Sequence, residues 1–166
     1  MTTTFKPAIL SGQLPEHIGE TVSLRGHLHT VRTVGANLAF LILRDRNGLS
    51  QVVIEDPAEI TKLDGALMGS IILATGTVAQ MPKGKFPFEL QKSTVEVLNK
   101  VIYPSPVDIS KETINADGET LHDNKVVVLR HPRQQKIFKI AGMVEKYMRA
   151  FRDENDFTQI NSPKII

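Results

Sequence analysis

The sequence contains no cysteine and no tryptophan. Without cysteine there are no disulfides and no thiolate-held zinc. The five histidines, His17, His27, His29, His122 and His131, show no HxxxH-type spacing, so no metal site is expected. Excess charge is also missing. A net +2 over 166 residues does not announce a nucleic-acid binder, so any basic surface must be local. No apolar run approaches the roughly 20 residues of a membrane span. The opening Met1-Thr-Thr-Thr-Phe-Lys-Pro7 is not a signal peptide. A cytoplasmic protein is expected. Internal repeats and low-complexity tracts are absent too. What is present is ordinary globular material, 41% hydrophobic, enough for one real core in one or two domains.

Residues 38–55, LAFLILRDRNGLSQVVIE, organise the rest. They read as two strands joined at Asn47-Gly48, the pair that best tolerates positive φ at both centres of a type I′ turn. A two-residue turn there places Arg46 opposite Leu49, Arg44 opposite Gln51, Ile42 opposite Val53 and Phe40 opposite Glu55. Side chains alternate across a sheet. One face then carries Leu41, Leu43, Val52 and Ile54 and reads as core. The other carries Phe40, Arg44, Gln51 and Glu55, with Ile42 and Val53 between them. An aromatic, a cation, an amide and an acid on one rigid platform suit stacking on a base and reading its edge.

Before the hairpin, residues 1–20 read as a loose lead-in punctuated by Pro7, Gly12, Pro15 and Gly19. A first strand is expected over 21–32, with Val22, Leu24 and Leu28 on one side and Ser23, Arg25, His27 and His29 on the other. Gly26 within it marks a bulge or bend. Residues 33–37 form the next loop. After the hairpin, Asp56 caps a short helix that opens at Pro57 and runs to about residue 68. Further strands are expected at 70–80 and 88–99, joined by a loop holding Lys83 and Lys85. The order β-β-β-α-β-β within about 80 residues fits a small closed Greek-key barrel of the OB type.

Tyr103-Pro-Ser-Pro106 reads as a stiff linker. Residues 107–130 form a polar connector. Pro132 opens a long helix to about residue 155. Its apolar residues, Ile137, Ile140, Ala141, Val144, Tyr147, Met148 and Phe151, are spaced three and four apart. Residues 158–166 read as a short extended segment containing Pro163. The barrel is expected at 1–103, a hinge at 104–131 and the helix-strand unit at 132–166. One helix and one strand cannot bury such a stripe. It is expected to dock on another protomer or on more of a longer chain.

These segments carry a resemblance. Gly19-Glu-Thr-Val-Ser-Leu-Arg-Gly26, Phe40-Leu-Ile-Leu-Arg-Asp-Arg-Asn-Gly48, Gln51, Phe88-Glu89 and the 103–108 linker resemble the anticodon-binding domain of aspartyl-tRNA synthetases, archaeal-type group. Asp123-Asn124-Lys125 and Leu129-Arg-His-Pro132 are similar to the hinge that follows. Residues 138–149 and Ile160-Asn-Ser-Pro-Lys-Ile165 look like motif 1 of class II synthetases. The likeness spans about residues 12–166. Asparaginyl- and lysyl-tRNA synthetases share this architecture. The chain departs from the pattern at His27, where tryptophan is common, at His131, where the hinge usually has arginine, and at Val128 in place of aspartate. Motifs 2 and 3, which hold ATP and the activated amino acid, would lie beyond Ile166. The resemblance therefore implies that these 166 residues do not aminoacylate tRNA alone, and that ATP and Mg²⁺ belong to a complete enzyme.

The resemblance also assigns roles. It implies Phe40 stacking on the central anticodon base, a uracil, and Gln51 at that base's edge. It implies Arg32 contacting the anticodon from the loop after strand one, Glu89 beside Gln51 as an acceptor, and Lys83 and Lys85 on the rim. His29 and Lys85 occupy positions linked to the choice between aspartate tRNA and asparagine tRNA. Histidine leans towards accepting both and lysine towards one, so the cues conflict. Ile140, Val144, Met148 and Pro163 would face a second copy in a homodimer. Read from the residues alone, Phe40 is core sooner than platform, Gln51 a solvated strand residue, and Lys83-Gly84-Lys85 an ordinary turn. The last is no phosphate-binding P-loop, since Phe86 replaces the required Ser or Thr. Two other functions stay open: a freestanding, non-catalytic OB module binding tRNA or single strands, and a barrel whose platform serves protein contact.

Overall fold

The structure, a computed structural model, describes residues 8–161. Contacts divide the chain into two units, Met1–Pro106 and Val107–Ile166. In the first, β1 (Thr21–Val34), β2 (Leu38–Arg44), β3 (Leu49–Ile54), β4 (Ile71–Gln80) and β5 (Phe88–Asn99) close into a barrel in the order β1-β2-β3-β5-β4. Helix α1 (Pro57–Thr61) lies between β3 and β4 in sequence. This is the expected OB fold. Neighbouring strands are antiparallel except β3 and β5, which run parallel through Gln51–Glu89 and Val52–Leu90. Leu24, Leu28, Leu41, Leu43, Val52, Ile54, Ile72 and Leu90 fill the interior.

Asp45, rather than the Asn47-Gly48 pair, shapes the central hairpin. Its Oδ1 accepts from the backbone N–H groups of Asn47 (2.7 Å) and Gly48 (3.0 Å), and its own N–H donates to the Gly48 carbonyl. A short acceptor reaching its own backbone two and three residues on builds a longer loop than a type I′ turn. The strands therefore pair as Arg44–Leu49, Ile42–Gln51 and Phe40–Val53. The expected register is off by two residues. A slip of two preserves both faces, so Leu41, Leu43, Val52 and Ile54 are core, as their alternation required.

Two glycines allow the barrel to close. β1 pairs with β4 through residues 21–27 and with β2 through 27–34. At the changeover a Cβ on Gly26 would stand 2.8 Å from the Arg44 carbonyl oxygen. The bulge itself falls at His29, between Leu28 and Thr30. Across the barrel, Gly76 opposes two residues of β5, Lys92 and Ser93, in a second bulge, and a Cβ on Gly76 would meet the Gln91 carbonyl at 2.7 Å. Lys92 takes φ +48° there.

Residues 11–17 of the lead-in are ordered where they were expected to be loose. Ser11–His17 form a 3₁₀ helix with Leu14 buried, and Ser11 donates its N–H and Oγ–H to the Asp45 carboxylate at 2.6 and 2.7 Å. Helix α1 is shorter than expected because Gly65 adopts φ +70° and breaks the run. In the second unit the connector holds α2 (Gly118–Asp123) and α3 (Lys125–Val128), and α4 spans Pro132–Glu154. His131 starts α4. Its Nδ1 accepts from the Arg133 N–H at 3.2 Å, and its Nε2 lies 2.9 Å from the Lys111 carbonyl oxygen. No residue of α4 is buried. Residues 158–161 have no regular structure, and the rest of the expected final strand, with Pro163, lies outside the described residues.

Candidate nucleic-acid interface

Outward-facing residues of the barrel fall into rows that run across the strands. One row is Arg32 on β1, Phe40 on β2 and Val53 on β3. The next is Thr30, Ile42, Gln51, Glu89 and Ala79. Arg32 was expected in the loop after β1. It is in the strand instead, because β1 continues to Val34, and this sets it directly opposite Phe40. Arg32 is exposed and Phe40 half-buried, so an aromatic ring and a solvent-accessible cation are neighbours on the outside of the barrel. Side chains directly opposite on neighbouring strands lie about 5 Å apart at Cβ.

Gln51 and Glu89 meet. The Gln51 Nε2–H donates to Glu89 Oε2 at 2.6 Å. Gln91, two residues on and therefore on the same face, donates its Nε2–H to Glu89 Oε1 at 2.9 Å and lies 3.9 Å from Met81 Sδ. Both carboxylate oxygens are thus occupied by amides, and Glu89 is only 4% exposed. Gln91 was not singled out from the sequence. Its one signal was the i, i+2 spacing from Glu89 on a strand. Met81 opens the β4–β5 loop, whose ends are tied by the Met81 N–H to the Pro87 carbonyl. Lys83 and Lys85 project from this loop, both exposed, with Lys85 Nζ 6.0 Å from the Phe86 ring centroid.

Three residues do not join this surface as expected. Arg44 is 5% exposed, so the platform lacks the cation that alternation placed there. His29 is 8% exposed and falls at the bulge between Leu28 and Thr30. Glu55 falls past the end of β3. The surface that remains is Arg32, Phe40, Gln51 and the buried Glu89–Gln91 support, with two lysines on the adjoining loop. It offers a stacking ring, an amide edge and nearby positive charge, the combination used for unstacked bases.

No family model matches the chain. The curated relatives do. An aspartate–tRNA(Asp/Asn) ligase of Thermus thermophilus is 34% identical over 158 residues, covering 95% of this chain and 36% of the relative. One from Methanococcus vannielii is 35% identical over 159 residues, covering 92% and 35%. The chain is homologous to the N-terminal third of these aspartate–tRNA ligases. It spans only about 36% of their length. In fold it matches a solved putative aspartyl-tRNA synthetase of Leishmania major, with TM-score 0.85 at 24% identity over all of this chain and 37% of that one. The asparaginyl-tRNA synthetase of Pyrococcus horikoshii, solved with asparaginyl-adenylate, gives 0.82 at 22% identity over 96% and 37%. Among the described residues no helix is long and apolar enough to cross a membrane.

Proposed function

We propose that this chain is the anticodon-reading part of an aspartate–tRNA ligase and that it binds aspartate tRNA, with asparagine tRNA as the second candidate. The reading rests on one observation above the others: Gln51 is tied to Glu89 on the OB face that also carries Arg32 and Phe40. In this reading a central anticodon uracil stacks on Phe40, and Gln51 hydrogen-bonds its edge. Arg32 neutralises the backbone beside the ring, and Lys83 and Lys85 draw the loop in. His29, buried at the β1 bulge, does not touch RNA. The complete enzyme uses ATP and Mg²⁺ to activate aspartate and passes it to the tRNA 3′ end in the cytoplasm. The exposed face of α4, through Ile140, Val144 and Met148, joins two copies; Pro163, a candidate for the same contact, lies outside the described residues.

Binding to anticodon stem-loops tests this. A stem-loop with the aspartate anticodon should bind, and replacing its central uracil should weaken binding by roughly tenfold or more. Phe40→Ala should cost about 1–3 kcal/mol of binding, the usual worth of one stacked base, with little change in thermal unfolding. Uniform, steeply salt-dependent binding to all loops would instead describe a general single-strand binder. A large loss of thermal stability in Phe40→Ala would make that ring part of the core.

A further inference from the structure

A glutamine that reads a base edge carries an ambiguity. Its amide presents one acceptor and one donor side by side, and a half-turn about the last bond exchanges them. For a base held in place by stacking, one setting meets an N–H and the other meets a ring nitrogen lone pair. Uracil has N3–H at its pairing edge, whereas cytosine has a bare N3. A freely turning Gln51 would therefore accept either.

Here the amide cannot turn freely. The atom of Gln51 that approaches Glu89 at 2.6 Å is the amide nitrogen, which donates to Oε2. The second oxygen of Glu89 accepts from Gln91 at 2.9 Å, so both oxygens are engaged. The same Gln91 nitrogen also lies 3.9 Å from Met81 Sδ. We propose that Gln91 is the positioning residue that gives this site its choice of uracil over cytosine. It acts through Glu89 to keep Gln51 Oε1 facing the incoming base. Gln51 then accepts from N3–H through Oε1, and its remaining Nε2 hydrogen meets the adjacent carbonyl of uracil. Cytosine held in the same place sets its N3 lone pair against the Oε1 lone pairs. Gln91 contacts no RNA in this arrangement. The inference rests on the anticodon reading above and adds to it a residue and a direction of choice.

The test uses the full chain and two anticodon stem-loops that differ only in a central uracil or cytosine, with affinities from fluorescence anisotropy. Gln91→Met keeps the side chain's length and removes its donor. The uracil-to-cytosine affinity ratio should fall about tenfold, mainly through stronger binding of the cytosine loop, with the fold kept by circular dichroism although the melting temperature falls, since one oxygen of the buried Glu89 loses its donor. Gln91→Leu repeats the test should the methionine variant not fold. Gln91→Lys restores a donor to Glu89 and should restore the ratio, although it raises affinity for both loops. A wild-type preference for uracil that persists in Gln91→Met would overturn the inference and leave the anticodon reading standing. Loss of the ratio in Gln91→Lys as well would also overturn it, since the donor would not be what matters. A wild-type chain with no preference at all would remove the anticodon reading itself.

Discussion

Single residues decide how tightly this barrel can coil. Gly26 sits where β1 changes partners, and the Arg44 carbonyl already occupies the space a methyl would need. Gly26→Ala should destabilise the protein by about 1–3 kcal/mol, the usual penalty of overpacking, read as a drop in the urea midpoint. Lys92 is the opposite case. It holds a left-handed φ of +48° in the β5 bulge, where a side chain costs about 1–2 kcal/mol. Glycine relieves that strain at about 0.5–1 kcal/mol of extra chain entropy. Lys92→Gly should thus be neutral to stabilising by up to about 1 kcal/mol, where glycine in an ordinary strand would weaken the fold. The same melts check it. Gly26 was readable in the sequence as a bend. Lys92 was not, because a lysine carries no mark of positive φ and the bulge arises from pairing with Gly76.

At the scale of elements, alternation was the dependable signal. Leu41, Leu43, Val52 and Ile54 are buried as their spacing required, and β5 has the expected ends. Turn chemistry was less legible. Asn47-Gly48 suggested a tight turn, but Asp45 two residues earlier captured the loop and also bound Ser11. Long-range competition of that kind leaves no local trace, and neither does the burial of His29. The candidate site was half visible: Phe40, Gln51 and Glu89 could be named, whereas Gln91 emerges only once β5 is paired. The attachment of α1 was equally hidden. Its Glu59 accepts from the Val95 N–H at 2.7 Å and pairs with Lys62. The hydrogen bond from Lys62, and then the one from Val95, hold the Glu59 carboxyl below its ordinary value. A lowered folded-state pKa stabilises fully above the unfolded value of about 4.3 and fades as pH falls through the folded one. Glu59→Gln should therefore lower stability at pH 7, with the gap to wild type narrowing towards pH 3, in paired urea titrations.

For the whole molecule, the second unit leaves an apolar surface uncovered. Ile140 is 61% exposed, Val144 53% and Met148 51%. Apolar residues so placed along one helix mark an interaction face. Sedimentation should find self-association that strengthens with concentration, and Val144→Asp should abolish it without loss of helix by circular dichroism. A monodisperse monomer whose α4 amides resist exchange would contradict this. The parallel pairing of β3 with β5 has a different consequence, one of timing. The β2–β3 hairpin is local and can form early. Gln51 and Glu89 are 38 residues apart in the chain and meet across the two-rung seam that β3 and β5 share. Ordered pairing at such separation is reached late in folding. The platform's ring and amide then exist before the acid that sets the amide's direction. A short seam is also the place for a closed barrel to breathe, and amides beside it should exchange ahead of those in β1 and β4. An RNA that needs the seam shut would slow that exchange even at amides it never touches.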